Sequence, residues 1–197
     1  MNAAHASGPA SPNSDISGGI LAGGLGLRMG GVDKGWVLHD GRPLIQWVLQ
    51  ALRPQVAEVW ISANRNLDRY ARLDAEVVVD DGAAPGQGPF VGMVRLLESA
   101  RRPWLLCVPC DTPTLPTDLA AQMRACVQRD AADIAVLADA HGLHPTFCLI
   151  RTALAADARA AFDAGERAPR RWFAGHRLAR LCGAAPVNLN APAGAVD

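Results

Sequence analysis

The chain has 197 residues, of which 50% are hydrophobic and 19% are charged, so it is long and apolar enough to bury one sizeable core. Its 19 basic and 19 acidic residues give a formal net charge of +0, which disfavours a nucleic-acid-binding surface. No apolar run reaches the roughly 18 residues that a membrane helix needs. Residues 1–14 also lack the basic and apolar regions of a secretory signal. We therefore expect a cytoplasmic protein with no nucleic-acid or membrane partner, in which residues 1–15 form a disordered tail and residues 16–197 form one domain.

The apolar pattern predicts strands that alternate with helices. The first strand covers residues 17–21, and a glycine-rich loop follows it. We then expect a short strand over residues 36–39, a turn over residues 40–42, and a helix that begins at Pro43 and extends to about residue 52. Later strands are predicted over residues 58–62, 76–79, 104–108, 133–137, 146–150 and 177–181. Later helices are predicted over residues 66–73, 89–99, 117–128 (with Thr117 as the N-cap), 152–164 and 168–173.

This alternation is typical of an α/β, Rossmann-like fold, in which helices cover both faces of a mostly parallel twisted sheet. Such folds bind ligands at the carboxyl ends of their strands. Three informative segments lie at predicted strand ends: the glycine-rich loop, Asp80–Asp81, and Asp111. The sequence therefore predicts one ligand site at this edge of the sheet.

The loop after the first strand places Lys34 among six glycines in residues 22–35. Backbone N–H groups of such a loop can surround an anion, and a lysine adds a point charge that suits a phosphoryl group. Arg28 could add a second cation. The loop is not a P-loop because Gly35 follows Lys34, and residues 24–30 are one residue longer than the dinucleotide-binding fingerprint. A surface loop without a ligand remains the alternative.

Asp111 lies between two prolines directly after an apolar strand. A carboxylate that faces a triphosphate can hold Mg²⁺, which takes few carboxylates and shares phosphate oxygens. Asp111 could equally cap the following turn. Asp80 and Asp81 precede a second glycine-rich segment, where they either bind a nucleoside or begin a turn.

The five cysteines, odd in number and spread through apolar segments, indicate free buried thiols in a reducing compartment. Cys107 and Cys110 spell C-x-x-C. Neither a second pair nor a histidine follows at a ligand spacing, which favours a strand end over a zinc or redox site.

Several motifs occur together in one order along residues 16–192. They are Leu-Ala-Gly-Gly followed by Arg-Met-Gly-Gly-Val-Asp-Lys-Gly over residues 21–35, Ala-Asn-Arg over 63–65, Asp81, Gly-Pro-x-x-Gly-Met over 88–93, Pro-Cys-Asp-Thr-Pro over 109–113, His-Pro-Thr over 144–146, and Asn-Leu-Asn over 188–190. This set resembles the molybdenum cofactor guanylyltransferases. The resemblance implies a nucleotidyltransferase fold and the transfer of GMP from GTP to molybdenum-bound molybdopterin, which gives the guanine dinucleotide cofactor and pyrophosphate.

The resemblance also implies roles for individual residues. Lys34, Asp111 and Arg28 would be catalytic, and Asp111 would hold the Mg²⁺ cofactor. The GTP-binding residues would be Leu21, Ala22, Gly23, Gly24, Lys34, Ser62, Asp81 and Asp111. The pterin side would include Asn188, Asn190 and His144, although His144 could instead be an ordinary hydrogen-bonded residue of the rim.

The implied partners are the two substrates, molybdenum-insertion proteins, and the acceptor molybdoenzyme or its chaperone, and we expect a monomer. Two other enzymes stay open on the residues alone: a molybdopterin cytidylyltransferase that uses CTP, and a nucleotidyltransferase that acts on a sugar phosphate. A nucleotide-binding module without turnover is the alternative of another class.

Overall fold

The computed structural model describes residues 14–24, 32–79 and 88–183. The strands in these residues are β1 (Ile16–Leu21), β2 (Leu38–His39), β3 (Arg42–Pro43), β4 (Glu58–Ser62), β5 (Glu76–Val78), β6 (Trp104–Pro109), β7 (Ile134–Asp139), β8 (Gly142–Arg151) and β9 (Leu178–Cys182). The α-helices are α1 (Leu44–Leu52), α2 (Leu67–Tyr70), α3 (Pro89–Ser99), α4 (Leu119–Arg129), α5 (Ala155–Asp163) and α6 (Pro169–Phe173). Short 3-10 helices cover Lys34–Trp36, Arg53–Gln55 and Thr152–Leu154.

One large sheet organises the described part of the chain. Its 7 strands lie in the order β5-β4-β1-β6-β8-β7-β9, and β2 pairs with β3 separately. Strand β1 lies between β4 and β6 and is parallel to both. Strand β8 runs antiparallel to β6 and β7, whereas the other neighbouring pairs are parallel. The prediction of a mostly parallel sheet is confirmed.

Helices pack on both faces of the sheet, as expected for apolar parallel strands. Helices α1 and α4 belong to one buried cluster, which includes the fully buried side chains of Ile20, Leu52 and Met123. Helices α3, α5 and α6 belong to the other cluster, which includes Phe90 and Phe173. No helix in the described segments has the length and apolar character that a membrane crossing requires.

Two local predictions around the first hairpin and α4 are wrong. Trp36 belongs to a 3-10 helix and not to a strand, because Asp33 accepts the N–H of Gly35 through its side chain and the N–H of Trp36 through its carbonyl. Thr117 is not an N-cap, because α4 begins at Leu119. The N–H of Ala120, in the first turn of α4, donates to Gln55 Oε1 at 3.0 Å, so a distant glutamine satisfies it.

The strand before α5 is much longer than its apolar run. We predicted residues 146–150, whereas β8 spans Gly142–Arg151 and forms a hairpin with β7. Its first half is polar and partly exposed, which is why periodicity did not reveal it. Asp15, which we assigned to the tail, accepts the N–H of Trp104 at 3.2 Å and pairs with Arg124.

Candidate active site

The carboxyl ends of β1 and β6 lie side by side. Leu21 is the register partner of Pro109, and the N–H of Cys110 donates to the carbonyl of Leu21 at 3.2 Å. This pairing fixes Asp111, which is 7% exposed, beside the start of the glycine-rich loop. Lys34 Nζ donates to Asp111 Oδ2 at 2.9 Å. The fold therefore brings together the two residues that the sequence singled out as cation and carboxylate.

Strand β4, the other neighbour of β1, and the residues after it hold the start of the glycine-rich loop. The N–H of Ala22 donates to the carbonyl of Ser62 at 2.8 Å. The Asn64 amide donates to the carbonyl of Gly23 at 3.4 Å, and the Arg65 guanidinium donates to the carbonyl of Gly24 at 2.9 Å. The end of β4 and the residues that follow it thus hold the backbone of residues 22–24, which such a glycine-rich segment could not fix by itself.

Ser62 is 1% exposed and lies against α3. A Cβ atom at Gly92 would come within 2.6 Å of Ser62 Oγ and 3.1 Å of Leu21 Cδ2. The missing side chain at Gly92 is what lets α3 approach the ends of β1 and β4 so closely. The contact between Ser62 and the nucleoside stays a prediction.

Sequence reasoning missed Asp33 as a residue of this site. Its carboxylate accepts the Tyr70 hydroxyl at 2.7 Å, the Asn66 amide at 2.9 Å and the N–H of Gly35 at 3.2 Å. Burial raises the pKa of Tyr70 well above its ordinary value, and the neighbouring Cys110 and Asp33 raise it further. The phenol therefore stays protonated and remains a donor. No short pattern links residue 33 to residues 66 and 70, although the position of Asp33 next to Lys34 was a signal.

The thiols near the site are structural. Burial raises the pKa of Cys110, and the carboxylates of Asp111 and Asp33 raise it further, so Cys110 remains a thiol. Cys107 faces Cys148 across the β6–β8 pair, where burial likewise raises the pKa of Cys148. The expectation of free thiols holds, but Cys182 is exposed and not buried. Within the described ranges, no group of three or more His, Cys, Asp or Glu side chains could hold a metal ion.

His144 lies on β8 at the same edge of the sheet as Asp111, because β8 begins where β6 ends. His144 Nε2 is 2.8 Å from Asp139 Oδ2 at the end of β7. Desolvation opposes ionisation of Asp139, but the N–H of His141 and the ring of His144 outweigh it and lower the pKa of Asp139. The pterin-side role of His144 stays a prediction. Four other predicted site residues lie outside the described residues: Arg28, Asp81, Asn188 and Asn190.

Comparison with known proteins gives a sequence match and a fold match. The model of the MobA-like NTP transferase domain matches residues 18–181. The chain is 48% identical over 181 residues to a molybdenum cofactor guanylyltransferase from Burkholderia ambifaria, which covers 87% of this chain and 88% of that protein.

Two solved structures share its fold. Molybdopterin-guanine dinucleotide biosynthesis protein A from Archaeoglobus fulgidus has a TM-score of 0.69 at 18% identity, over 84% of this chain and 83% of that one. A 2-C-methyl-D-erythritol 4-phosphate cytidylyltransferase from Thermus thermophilus has a TM-score of 0.66 at 21% identity, over 88% of this chain and 92% of that one. Proteins named for different nucleotides therefore share this architecture, so the fold alone does not identify the nucleotide base that is bound.

Proposed function

The chain belongs to the family of MobA-like NTP transferases, and we propose that it transfers GMP from GTP to molybdenum-bound molybdopterin, which forms the molybdopterin guanine dinucleotide cofactor and releases pyrophosphate. The reaction is the one that the names of its relatives at 48% identity describe. All the motifs that indicate this reaction lie within the residues that the family model matches, except the one over residues 188–190.

The contact between Lys34 and Asp111 is the observation that carries the proposal. Transfer of a phosphoryl-type group depends on positioning and on neutralising charge, and it needs no protein nucleophile. A lysine and a buried carboxylate 2.9 Å apart, at the ends of two parallel strands, supply a phosphate ligand and a metal ligand at one place. A site that only bound nucleotide would not require both.

We propose Mg²⁺ as the cofactor, with Asp111 as its protein ligand. Among the described residues, Asp33 is the other buried carboxylate at this edge, but three hydrogen-bond donors occupy it, so it is a poor candidate. A single carboxylate fits Mg²⁺, because this ion usually binds one or two carboxylates and completes its shell with substrate phosphates and water. When bound, Mg²⁺ neutralises charge on the triphosphate and the leaving pyrophosphate.

In the proposed reaction, a terminal phosphate oxygen of molybdopterin attacks the α-phosphorus of GTP, and the bond from that phosphorus to the bridging oxygen of pyrophosphate breaks. Lys34 binds the phosphates and stabilises the charge that develops on their oxygens. The backbone of Leu21, Ala22, Gly23 and Gly24 holds the triphosphate, and the hydrogen bonds from Asn64 and Arg65 keep that backbone in place.

The remaining assignments follow the family resemblance. Arg28 adds a second cation beside the phosphates, and Ser62 and Asp81 bind the guanosine. The roles proposed for Asn188, Asn190 and His144 are contacts with the pterin. The proposed location is the cytoplasm, the proposed further partners are the molybdenum-insertion proteins and the acceptor molybdoenzyme or its chaperone, and the proposed state is a monomer.

Calorimetric titration with GTP, CTP, ATP and UTP in the presence of Mg²⁺ tests which nucleotide base the protein selects. Release of pyrophosphate in the presence of molybdenum-bound molybdopterin tests whether the protein transfers GMP. We expect binding to be selective for GTP, weaker in Lys34→Ala, and followed by turnover that Asp111→Ala abolishes. Asp118→Ala, an exposed carboxylate that accepts a hydrogen bond from Gln122, is the matched control and should behave as the wild type. Preference for CTP would make the protein a cytidylyltransferase, and GTP binding without turnover would make it a binding module.

A further inference from the structure

Asp33 is an unusual carboxylate because it is buried and its hydrogen bonds come from uncharged groups. It is 8% exposed. Its three donors are the hydroxyl of Tyr70, the amide of Asn66 and the backbone N–H of Gly35. Burying a carboxylate is unfavourable unless several donors compensate for the lost water. This arrangement therefore exists only because three separate groups converge on one side chain.

The donors hold the backbone on both sides of Lys34. Asp33 precedes Lys34 and Gly35 follows it, and the carboxylate of the first binds the N–H of the second at 3.2 Å. The Tyr70 hydroxyl anchors this turn to α2. A Cβ atom at Gly35 would lie 2.4 Å from the Tyr70 hydroxyl oxygen, so the turn and the phenol are packed without spare room.

Tyr70, which anchors this turn, is itself tightly packed. Tyr70 is fully buried, and its ring packs against that of Trp36 with 5.1 Å between ring centroids. Asn66 has φ 51, and its carbonyl accepts the N–H groups of Arg69 and Tyr70. The backbone on either side of Lys34 is thus held by a folded corner of the β4–β5 connection, to which Asn66 and Tyr70 belong.

We propose that Asp33 and Tyr70 are positioning residues of the transfer reaction, which fix the backbone of Lys34 so that its ammonium group meets the phosphates beside Asp111. This inference rests on the proposed function, because it takes Lys34 as the phosphate ligand. Holding a charged group where the substrate needs it avoids the cost of ordering that group during the reaction. The two residues act through Lys34 and do not touch substrate.

A purely structural role is the competing explanation, and a double-mutant cycle separates the two. Tyr70→Phe removes one hydroxyl and leaves the ring. We would measure GTP affinity by calorimetry and stability by urea unfolding for the wild type, Tyr70→Phe, Lys34→Ala and the double variant. A positioning residue loses its effect once Lys34 is absent, whereas a loss of folded protein weakens binding equally in both backgrounds.

We expect Tyr70→Phe to weaken GTP binding about tenfold when Lys34 is present and less than about twofold in Lys34→Ala, because groups that act as a unit are not additive. Ser17→Ala is the matched control. It also removes a buried hydroxyl that donates to a carboxylate, Glu58, at 2.6 Å, but at the amino end of β1. Ser17→Ala should leave GTP affinity unchanged in both backgrounds.

The outcomes are distinguishable. Equal weakening by Tyr70→Phe in both backgrounds, or no weakening in either, overturns the positioning role while leaving the proposed function intact. A folded wild-type protein that binds no GTP overturns the proposed function and the positioning role together. Asp33→Asn supplies a second measurement should Tyr70→Phe fold poorly, and it should follow the same dependence on Lys34.

Discussion

Lys34 and Asp111 are 77 residues apart in sequence, yet Lys34 Nζ and Asp111 Oδ2 are separated by 2.9 Å. The pair joins the segment after β1 to the end of β6, which is the neighbouring strand. A cation and a carboxylate therefore meet because two parallel strands end at the same level. The geometry of the proposed active site depends on this register.

Asp111→Asn keeps the size of the side chain and an oxygen that can accept from Lys34, but it removes the charge that the metal needs. We expect turnover to fall by roughly 100-fold or more, the range seen when a group that stabilises transition-state charge is lost. Steady-state kinetics at saturating GTP checks this result, with Asp118→Asn as the control. Turnover within about twofold of the wild type would show that Asp111 is not the metal ligand.

Lys34 is the only lysine in the chain, so its ε-amine can be followed without interference from other side-chain amines. Acetylation removes the charge of a lysine, and we expect it to weaken GTP binding, as Lys34→Ala does. GTP with Mg²⁺ should slow modification of Lys34, because the phosphates cover the amine. Mass spectrometry of the modified protein measures the rate, and the α-amino group serves as the internal control. Equal rates with and without GTP would contradict the assignment of Lys34 to the phosphates.

Gly92→Ala places a methyl group 2.6 Å from Ser62 Oγ, which is closer than real Cβ atoms approach, so Ser62 or α3 has to move. We expect a loss of about 1–2 kcal/mol, since overpacking costs about 1–3 kcal/mol and the better helix propensity of alanine recovers less than about 1 kcal/mol. Urea unfolding measures the difference. Gly183→Ala has open space around its added Cβ and should stay close to the wild type. A Gly92→Ala protein more stable than the wild type would mean that the space between α3 and Ser62 accommodates a methyl group.

Glu166 predicts a change of stability with pH. The guanidinium of Arg171 and the N–H groups of Ala168 and Arg167 lower the pKa of Glu166 from 4.5 to about 2, against some desolvation. A carboxyl with a lowered pKa in the folded state stabilises the protein above its unfolded pKa, and this contribution is lost as the pH falls through the folded value. We expect the wild type to be more stable than Glu166→Gln at neutral pH, and the difference to shrink as the pH falls from 4.5 toward 2. Urea unfolding of both proteins across this range is the check, and a difference that grows on acidification would reverse the sign of the argument.

The sequence predicted correctly the elements whose ends are marked by local residue patterns. Helix α3 begins at Pro89 and ends at Ser99, as predicted, because Gly88 and Pro89 mark its start. Strand β8 was predicted too short, since Pro145 within a polar segment argues against a strand when no partner is known. The N-cap at Thr117 failed because the group that satisfies α4 comes from Gln55, which no local pattern identifies.

The same contrast between local sequence patterns and tertiary contacts holds for the site. Lys34 and Asp111 were predictable because each follows an apolar strand with a distinctive composition, and the topology brings such ends together. Tyr70 was not predictable, because a buried hydroxyl on a four-residue helix looks like any core aromatic residue until its partner is seen. Charge and glycine content therefore identified the lysine and the carboxylate that meet at this edge of the sheet, and only the tertiary structure revealed that Tyr70 holds the turn around Lys34.

The central place of β1 has a consequence for synthesis of the protein on the ribosome. Strand β1 is made first, but its neighbours begin at Glu58 and Trp104. Until β6 has emerged, a nascent chain carries an apolar strand with one edge unpaired, which is the kind of edge that recruits other chains. Every fragment that stops before Trp104 shares this exposed edge and also lacks Asp111. A premature stop in the first half of the gene therefore yields an aggregation-prone product with no residual transfer activity.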